Sequence, residues 1–199
     1  NKTINKVPTI YSLGTMGRKY FIKNKDKIPD INIPLLDRVW DEWSYSKTFK
    51  SHWQLLGTVY LSLRDLVKSV DGGRGKLKFY TQVDLKGVQY LITPEPDAYF
   101  SIEDRNKNSK GYFLDIINQY TKPKKWQYRI RQYFWYYEKE LWQNNFNPEF
   151  PEIILVCPNT YYFREFNEFI KDELDKRNSD LVFFLTTRDE IKYQGLTSG

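Results

Sequence analysis

Two apolar stretches separated by a long amphipathic segment constrain the fold of this chain more than any other feature. The stretches are "PEIILVCP" (151–158) and "DLVFFLTT" (180–187), and "YYFREFNEFIKDELDKR" (161–177) lies between them. Strands with nearly continuous apolar residues are typical of parallel sheets that are buried on both faces, and parallel strands need a crossover connection such as a helix. The end of the chain therefore predicts a partly parallel sheet with helices on both faces.

The elements that precede this pair add antiparallel strands to the sheet. Apolar residues at three- and four-residue spacing predict a helix over 51–70, which "DGGRG" ends. Strands are predicted at "KLKFYTQ" or "VQYLIT", then at "DAYFSI" and "GYFLDII", with "EDRNKNSKG" as a hairpin loop between the last two. A further helix starts at Thr121 and Pro123 and runs to about Gln143. The predicted fold class is α/β, a mixed sheet flanked by helices.

The start of the chain does not contain enough sequence for a core of its own. Residues 1–23 hold a strand-like "PTIYSL", a turn "GTMG" and a short helical "RKYFIK", and they resemble the end of a preceding unit. Residues 24–50 are polar and predict a linker with one short helix near Trp40 and Trp43. The main domain is expected over 51–199. Because the first residue is Asn1 rather than methionine, we expect further sequence upstream.

The net charge bears on the kind of partner that the chain binds, and the cysteine content bears on its cellular compartment. Lysine and arginine outnumber aspartate and glutamate, 31 to 25, which gives a net charge of +6. Such a surplus suits a protein that meets phosphate, but it is also common among proteins without a nucleic-acid partner. The single cysteine, Cys157, cannot form an intramolecular disulfide, which indicates a reducing compartment. No apolar run approaches the roughly 18 residues that span a bilayer, so we expect a cytoplasmic protein with no membrane partner.

Scarce histidine and cysteine exclude some kinds of site. His52 is the only histidine and Cys157 the only cysteine. A structural zinc site takes four ligands from such residues, so zinc is excluded in practice. Sites built on a histidine pair or cluster are excluded for the same reason. The glycines of "DGGRGK" lack the spacing of a phosphate-binding loop and follow a helix, which favours a turn.

Two acidic residues on the predicted hairpin are the candidates for chemistry. Asp97 follows Pro96 at the mouth of one strand, and Asp115 lies inside the next strand on the same face as Phe113 and Ile117. If the hairpin brings the two carboxylates together they repel, and a divalent cation such as Mg²⁺ or Mn²⁺ would relieve that repulsion. Two simpler interpretations remain open: Asp97 as a turn residue after proline, and Asp115 as a solvent-facing residue on an edge strand.

This order of elements, with "PD" at Pro96 and Asp97 and a second acid at Asp115, resembles the PD-(D/E)xK nuclease superfamily from Ser51 to Arg188. Within it the chain is similar to the replication-relaxation family of plasmids and mobile elements, in which a winged-helix DNA-binding domain precedes such a core. "IYSLGTMGRKYF" resembles the wing and its exit helix, and "FKSHWQLLGTVYLSL" resembles the opening core helix. "YFLDIINQYT" is similar to the acid-bearing strand, and "RIRQYFWYY" to a helix with a K-x-x-x-Y-like spacing.

The resemblance implies a DNA-binding protein of plasmid or mobile-element replication or relaxation, with a nuclease-like core after a winged-helix remnant. Asp97 and Asp115 would hold magnesium or manganese for DNA nicking, and the metal would activate a water molecule. Nucleases of the superfamily carry a lysine two residues after the second acid, and Ile117 stands there instead. The expected substitutes are Lys122, Lys124 or Lys125 just beyond the strand, or Arg129 one turn on, and Lys125 is taken as the catalytic candidate. The missing lysine favours an inactive or altered site.

The helix after Asp115 supplies the candidate DNA contacts. They are Lys122, Lys124, Arg129, Arg131, Tyr133 and Tyr136. If Trp126, Ile130, Tyr133 and Tyr137 form its buried stripe, Trp135 and Tyr136 are exposed, and exposed rings beside arginine suit stacking on bases. The alternatives are an ordinary solvated face, or an inactive scaffold or transcriptional regulator that binds protein partners through its aromatics. A homodimer and replication or conjugation proteins are further possible partners.

Overall fold

The computed structural model describes residues 15–27, 46–69 and 75–196. The contacts divide the chain into two compact units, Asn1–His52 and Trp53–Gly199. In the first unit the described elements are helix α1 (Thr15–Lys23), a short 3₁₀ helix (Lys25–Lys27) and the start of helix α2 (Lys47–Ser69). Helix α1 confirms the helical segment predicted at "RKYFIK". The strand predicted at "PTIYSL" and the tryptophans of the linker lie outside the described residues.

The second unit is a mixed α/β sheet flanked by helices, as the sequence predicts. Its strands in the described residues form one sheet in the order β1-β2-β3-β4-β5. Strands β1, β2 and β3 pair antiparallel, and β4 and β5 continue parallel to β3. After α2 the elements are β1 (Lys76–Thr81), α3 (Gln82–Leu85), β2 (Ala98–Glu103), β3 (Ser109–Ile116), α4 (Pro123–Glu138), α5 (Leu141–Asn145), β4 (Glu152–Cys157), α6 (Thr160–Arg177), β5 (Phe183–Thr187) and α7 (Arg188–Gln194). Of the two first-strand candidates, "KLKFYT" is the strand.

Alternating residues of the strands feed two separate cores, one on each face of the sheet. Phe113, Ile153 and Leu155 face the core that holds α4, α5 and α6. Their neighbours Leu114 and Ile154 face the core that holds α2 and α7. The helices contribute Trp126, Ile130, Phe134, Trp142, Phe166 and Ile170 to the first core, and Leu55, Val59, Leu63 and Ile191 to the second. The apolar ends of β3 and β4 are therefore continuous because both of their faces are covered. The edge strand β5, which the sequence predicts as buried, is only partly covered, and its Phe184 is exposed.

Helix α4 is shorter than the sequence predicts. It ends at Glu138, and Glu140 has a φ of 52°, a left-handed conformation that cannot continue the helix. The chain then turns into α5, where the Trp142 indole donates to the carbonyl of Glu149 at 2.9 Å. The break in the helix lets the Trp142 ring pack in the core, where its centroid lies 5.2 Å from that of the Phe113 ring.

Helix α7 was not predicted, although the sequence contains a signal for it. Thr187 and Glu190 form a capping box: the Thr187 Oγ1 accepts from the Glu190 amide at 3.2 Å, and the Glu190 carboxylate accepts from the Thr187 amide at 2.7 Å. A threonine followed three residues later by glutamate is a helix-start pattern. No helix among the described residues has the length and the apolar character needed to cross a membrane.

The thiol of Cys157 is buried at the end of β4, as the strand "EIILVC" predicts. Burial raises its pKa to about 12. The thiolate is the nucleophilic form of cysteine, so this residue is not a reactive group at neutral pH.

We expect Phe113→Ala to lower the free energy of unfolding by about 3–5 kcal/mol, because the substitution leaves a cavity at the centre of the aromatic core. The Phe113 ring is fully buried, and its centroid lies 5.7 Å from that of Tyr133 and 5.9 Å from that of Phe150. Urea denaturation measures the loss. The control is Tyr128→Ala, at an exposed position of α4, which should change stability by less than about 0.5 kcal/mol. Similar losses in both variants would contradict this description of the core.

Candidate functional site

The β2–β3 hairpin brings the two predicted acids together. Ala98 pairs with Leu114 across the hairpin, so Asp97 and Asp115 lie beside each other at the same edge of the sheet. The Asp97 amide donates to Asp115 Oδ1 at 3.4 Å, and the Ile116 amide donates to Asp97 Oδ2 at 2.6 Å. We call Asp97 and Asp115 the acid pair.

Asp115 has a positive partner, Arg129 of helix α4. Only 6% of Asp115 and 8% of Arg129 are exposed. Arg129 Nε donates to Asp115 Oδ2 at 2.6 Å, and its Nη2 donates to Oδ1 at 3.3 Å, which makes the ion pair bidentate. The interpretation of Asp115 as a solvent-facing residue is therefore wrong. A buried carboxylate is tolerated in this strand because a buried guanidinium neutralises it.

Tyr133 and a backbone carbonyl complete the surroundings of the ion pair. The Tyr133 hydroxyl donates to Asp115 Oδ2 at 2.9 Å and accepts from Arg129 Nη2 at 3.0 Å. Arg129 Nη1 donates to the carbonyl of Pro94 at 2.6 Å. Burial raises the pKa of Tyr133 well above its ordinary value, so the phenol keeps the proton that it donates to Asp115. Burial lowers the pKa of Arg129, but the charge of Asp115, the neighbouring Tyr133, the hydrogen bond to Asp115 and the charge of Asp97 together outweigh burial, so the net shift is upward.

A second arginine, Arg188, lies at the same edge and was missed by the sequence interpretation. It follows β5 directly, and its Nη2 donates to the carbonyl of Ile117 at 3.3 Å. Burial lowers the pKa of Arg188, and the negative charge of Asp97 opposes that shift. The signal in the sequence was its position: the carboxyl ends of β3, β4 and β5 meet at one edge, where ligand sites of parallel sheets are found.

The residues around the acid pair fit a guanidinium rather than a magnesium or manganese ion. Both oxygens of Asp115 accept from Arg129, and Oδ2 also accepts from Tyr133. Magnesium takes near-octahedral oxygen ligands, so a metal at this point would have to displace the arginine. Within the described part of the chain, no group of three or more histidine, cysteine, aspartate or glutamate residues is arranged to hold a metal ion.

The position of the usual nuclease lysine is part of the core. Ile117 is buried among the aromatic residues on the α4 side of the sheet, and its amide donates to the carbonyl of Val156 at 3.0 Å. Lys125, the expected substitute, is exposed at the start of α4. The described partners of the Asp115 carboxylate are Arg129, Tyr133 and the Asp97 backbone amide, and Lys125 is not among them.

The predicted DNA contacts of helix α4 separate into exposed and buried residues. Lys122 and Lys124 are exposed. Arg131 is exposed as well, but its guanidinium is paired with Glu173 at 3.0 Å. Arg129 is held in the ion pair and Tyr133 is fully buried, so neither reaches a ligand on the surface.

The expectation that Tyr136 is exposed is wrong. Its side chain is fully buried, and its hydroxyl donates to the carbonyl of Tyr90 at 2.9 Å. The segment 90–93 covers this side of α4, so the buried face of the helix is wider than one apolar stripe. Trp135 is exposed as predicted, at 52%, and Tyr128 joins it at 64%.

No protein-family model, curated protein or solved structure matches this chain. What the acid pair and the basic start of α4 can do must therefore follow from their own geometry and charge.

We expect Arg129→Met to lower the free energy of unfolding by about 3–5 kcal/mol, because it leaves the buried Asp115 carboxylate without its counter-charge. The double variant Asp115→Leu/Arg129→Met should recover most of that loss, since an apolar pair needs no neutralisation. Urea denaturation of the two single variants and the double variant measures the coupling.

The matched control for this cycle is Arg131→Met, on the same helix. Glu173 keeps its second partner, Arg177, at 3.1 Å, so the loss should stay within about 1 kcal/mol. Additive losses in the Asp115 and Arg129 variants would contradict a coupled ion pair.

Proposed function

We propose that this chain is a DNA-binding protein of plasmid or mobile-element replication whose nuclease-like core holds DNA without cutting it. The observation that carries the non-cleaving part of the proposal is the bidentate ion pair between Asp115 and Arg129. It occupies the place at which a nuclease of the PD-(D/E)xK superfamily would hold its metal.

The element order supports the nuclease-like part of the proposal. A helix, three antiparallel strands, a helix and a parallel strand follow one another as α2, β1–β3, α4 and β4. Asp97 lies immediately before β2 and Asp115 near the end of β3, as "PD" and the second acid would in that superfamily. The two acids are adjacent across the hairpin, which supports the proposal at the site as well as in the order of elements.

Two features support binding without cleavage. Metal-dependent cleavage needs carboxylate oxygens for the ion and a cation that steadies the charge on phosphate. Asp115 gives both of its oxygens to Arg129, and Ile117 offers only a buried alkyl group where the lysine is expected. Displacing Arg129 would leave a buried guanidinium unpaired, at a cost of about 3–5 kcal/mol.

The start of α4 supports DNA as the partner. Lys122, Lys124 and Lys125 are exposed, and none of them pairs with an acidic side chain in the described part of the chain. They stand at the N-terminus of a 16-residue helix, where the helix dipole adds positive potential. Duplex DNA presents a dense row of phosphates, so clustered lysines at a positive helix end suit it.

We expect Lys122→Gln/Lys124→Gln/Lys125→Gln to weaken binding to duplex DNA and to reduce the dependence of log K on log salt by about 3, since each lost phosphate contact removes about one unit of slope. Fluorescence anisotropy at a series of salt concentrations measures both quantities. The control is Lys68→Gln/Lys139→Gln/Lys171→Gln, which removes the same charge from exposed positions elsewhere. Equal effects of the two triple variants would show that DNA binding depends on net charge alone, which would contradict a DNA contact at the start of α4.

We expect the purified protein to leave supercoiled plasmid intact with Mg²⁺ or Mn²⁺, because the acid pair is already neutralised by arginine. A gel that separates supercoiled from nicked plasmid is the measurement, with a commercial nicking enzyme as the positive control. Nicking that disappears in Asp97→Ala and in Asp115→Ala would overturn the non-cleaving part of the proposal and leave DNA binding in place.

A further inference from the structure

Helix α4 carries a row of basic and aromatic side chains that the core does not use. Lys124, Tyr128, Arg131 and Trp135 follow one another at spacings of four, three and four residues. Residues at these spacings lie on one side of a helix. We call this row the basic–aromatic stripe. Its two rings are more than half exposed, whereas most of the other aromatic residues of α4 are buried.

The stripe borders a groove with a volume of about 670 Å³. One wall is α4, with Tyr128, Gln132 and Trp135, and the other is the segment 90–93, which contains the exposed ring of Tyr90. Side chains of α4 hold the second wall in place. The Tyr136 hydroxyl donates to the carbonyl of Tyr90 at 2.9 Å, and Nε2 of the Gln132 side chain donates to the carbonyl of Thr93 at 2.7 Å.

The charges that line the groove are balanced, and the unpaired positive charge lies at the start of α4. The acidic residue that lines it, Glu138, is paired with Arg177 at 2.7 Å, and Arg131 is paired with Glu173 at 3.0 Å. These pairs leave little uncompensated charge in the groove. At the start of the same helix, Lys124 and Lys125 are exposed and, within the described residues, make no ion pair. A polyanion can therefore enter from the basic end of α4 and pass along the rings without meeting an unpaired carboxylate.

We propose that this groove binds single-stranded DNA, with bases stacked on Tyr128, Trp135 and Tyr90 and phosphates beside Lys124 and Lys125. The inference rests on the proposed function, because it requires that the chain binds DNA. Aromatic rings stack on the faces of bases, and those faces are free in a single strand but covered by neighbouring base pairs in a duplex. The exposed rings therefore favour the single strand.

The length of the stripe sets the size of the site. Seven residues separate Tyr128 from Trp135, about 10 Å along the helix axis, and eleven separate Lys124 from Trp135, about 16 Å. With bases stacked at about 3.4 Å, these distances correspond to about three and about five steps. A strand of about five nucleotides would reach from the lysines to the last ring.

Fluorescence anisotropy with labelled oligothymidine of about ten nucleotides and with a duplex of about twice that length tests the inference, at about 50 and about 200 mM salt. We expect the wild-type protein to bind the oligothymidine more tightly than the duplex. Tyr128→Ala and Trp135→Ala should each weaken oligothymidine binding about 5- to 100-fold and leave duplex binding within about twofold. An abasic strand of equal length should bind the wild-type protein as weakly as oligothymidine binds the ring variants.

Tyr193→Ala is the matched control. It removes an exposed ring from α7, which packs on the other face of the sheet, and it should change neither affinity. Urea denaturation verifies that every variant is folded. If both probes bind and the ring variants bind oligothymidine as the wild type does, the groove inference is overturned while DNA binding stands. If neither probe binds, the proposed function fails and the groove inference fails with it.

Discussion

A carboxylate at the buried end of a strand needs a compensating partner, and the ion pair between Asp115 and Arg129 meets that requirement. The pair joins β3 to α4, the helix that covers one face of the sheet. Tyr133 takes part from the next turn of the same helix, and Asp97 contacts Asp115 from the neighbouring strand. Helix, strand and hairpin are therefore fixed to one another by a single polar cluster inside an otherwise aromatic core.

On the proposed function, the same cluster explains how a nuclease-like order of elements can be separated from nuclease chemistry. The topology gathers two acids at the edge where β3, β4 and β5 end. The role of the two acids depends on whether their negative charge is neutralised by an arginine or by a metal ion. An arginine from the following helix is permanent and needs no exchange with solvent, while a bound metal brings water to the site. On the proposed function, this chain keeps the arrangement of the acids and uses it for structure.

Sequence reasoning succeeded where a pattern is local and failed where a contact is distant. The strands β2 to β5, α2 and α6 follow from periodicity, which left β1 open between two segments, and the convergence of Asp97 and Asp115 follows from the hairpin. The break at Glu140 was missed because the apolar pattern continues through Leu141 and Trp142. The burial of Tyr136 depends on the segment 90–93, which lies more than forty residues away in the sequence. The sequence of α4 alone therefore does not indicate that Tyr136 is buried. Arg129 was predicted to contact DNA because its position in the helix is compatible with an exposed face as well as with a buried ion pair.

Arg129 also reaches beyond the acid pair. Its Nη1 donates to the carbonyl of Pro94 and so holds the chain directly after the groove wall at 90–93. A descendant of this protein that evolved a metal at Asp115 would have to give up that arginine, and the wall would lose one of its attachments to α4. One side chain thus links the charge balance of the acid pair to the position of the groove wall.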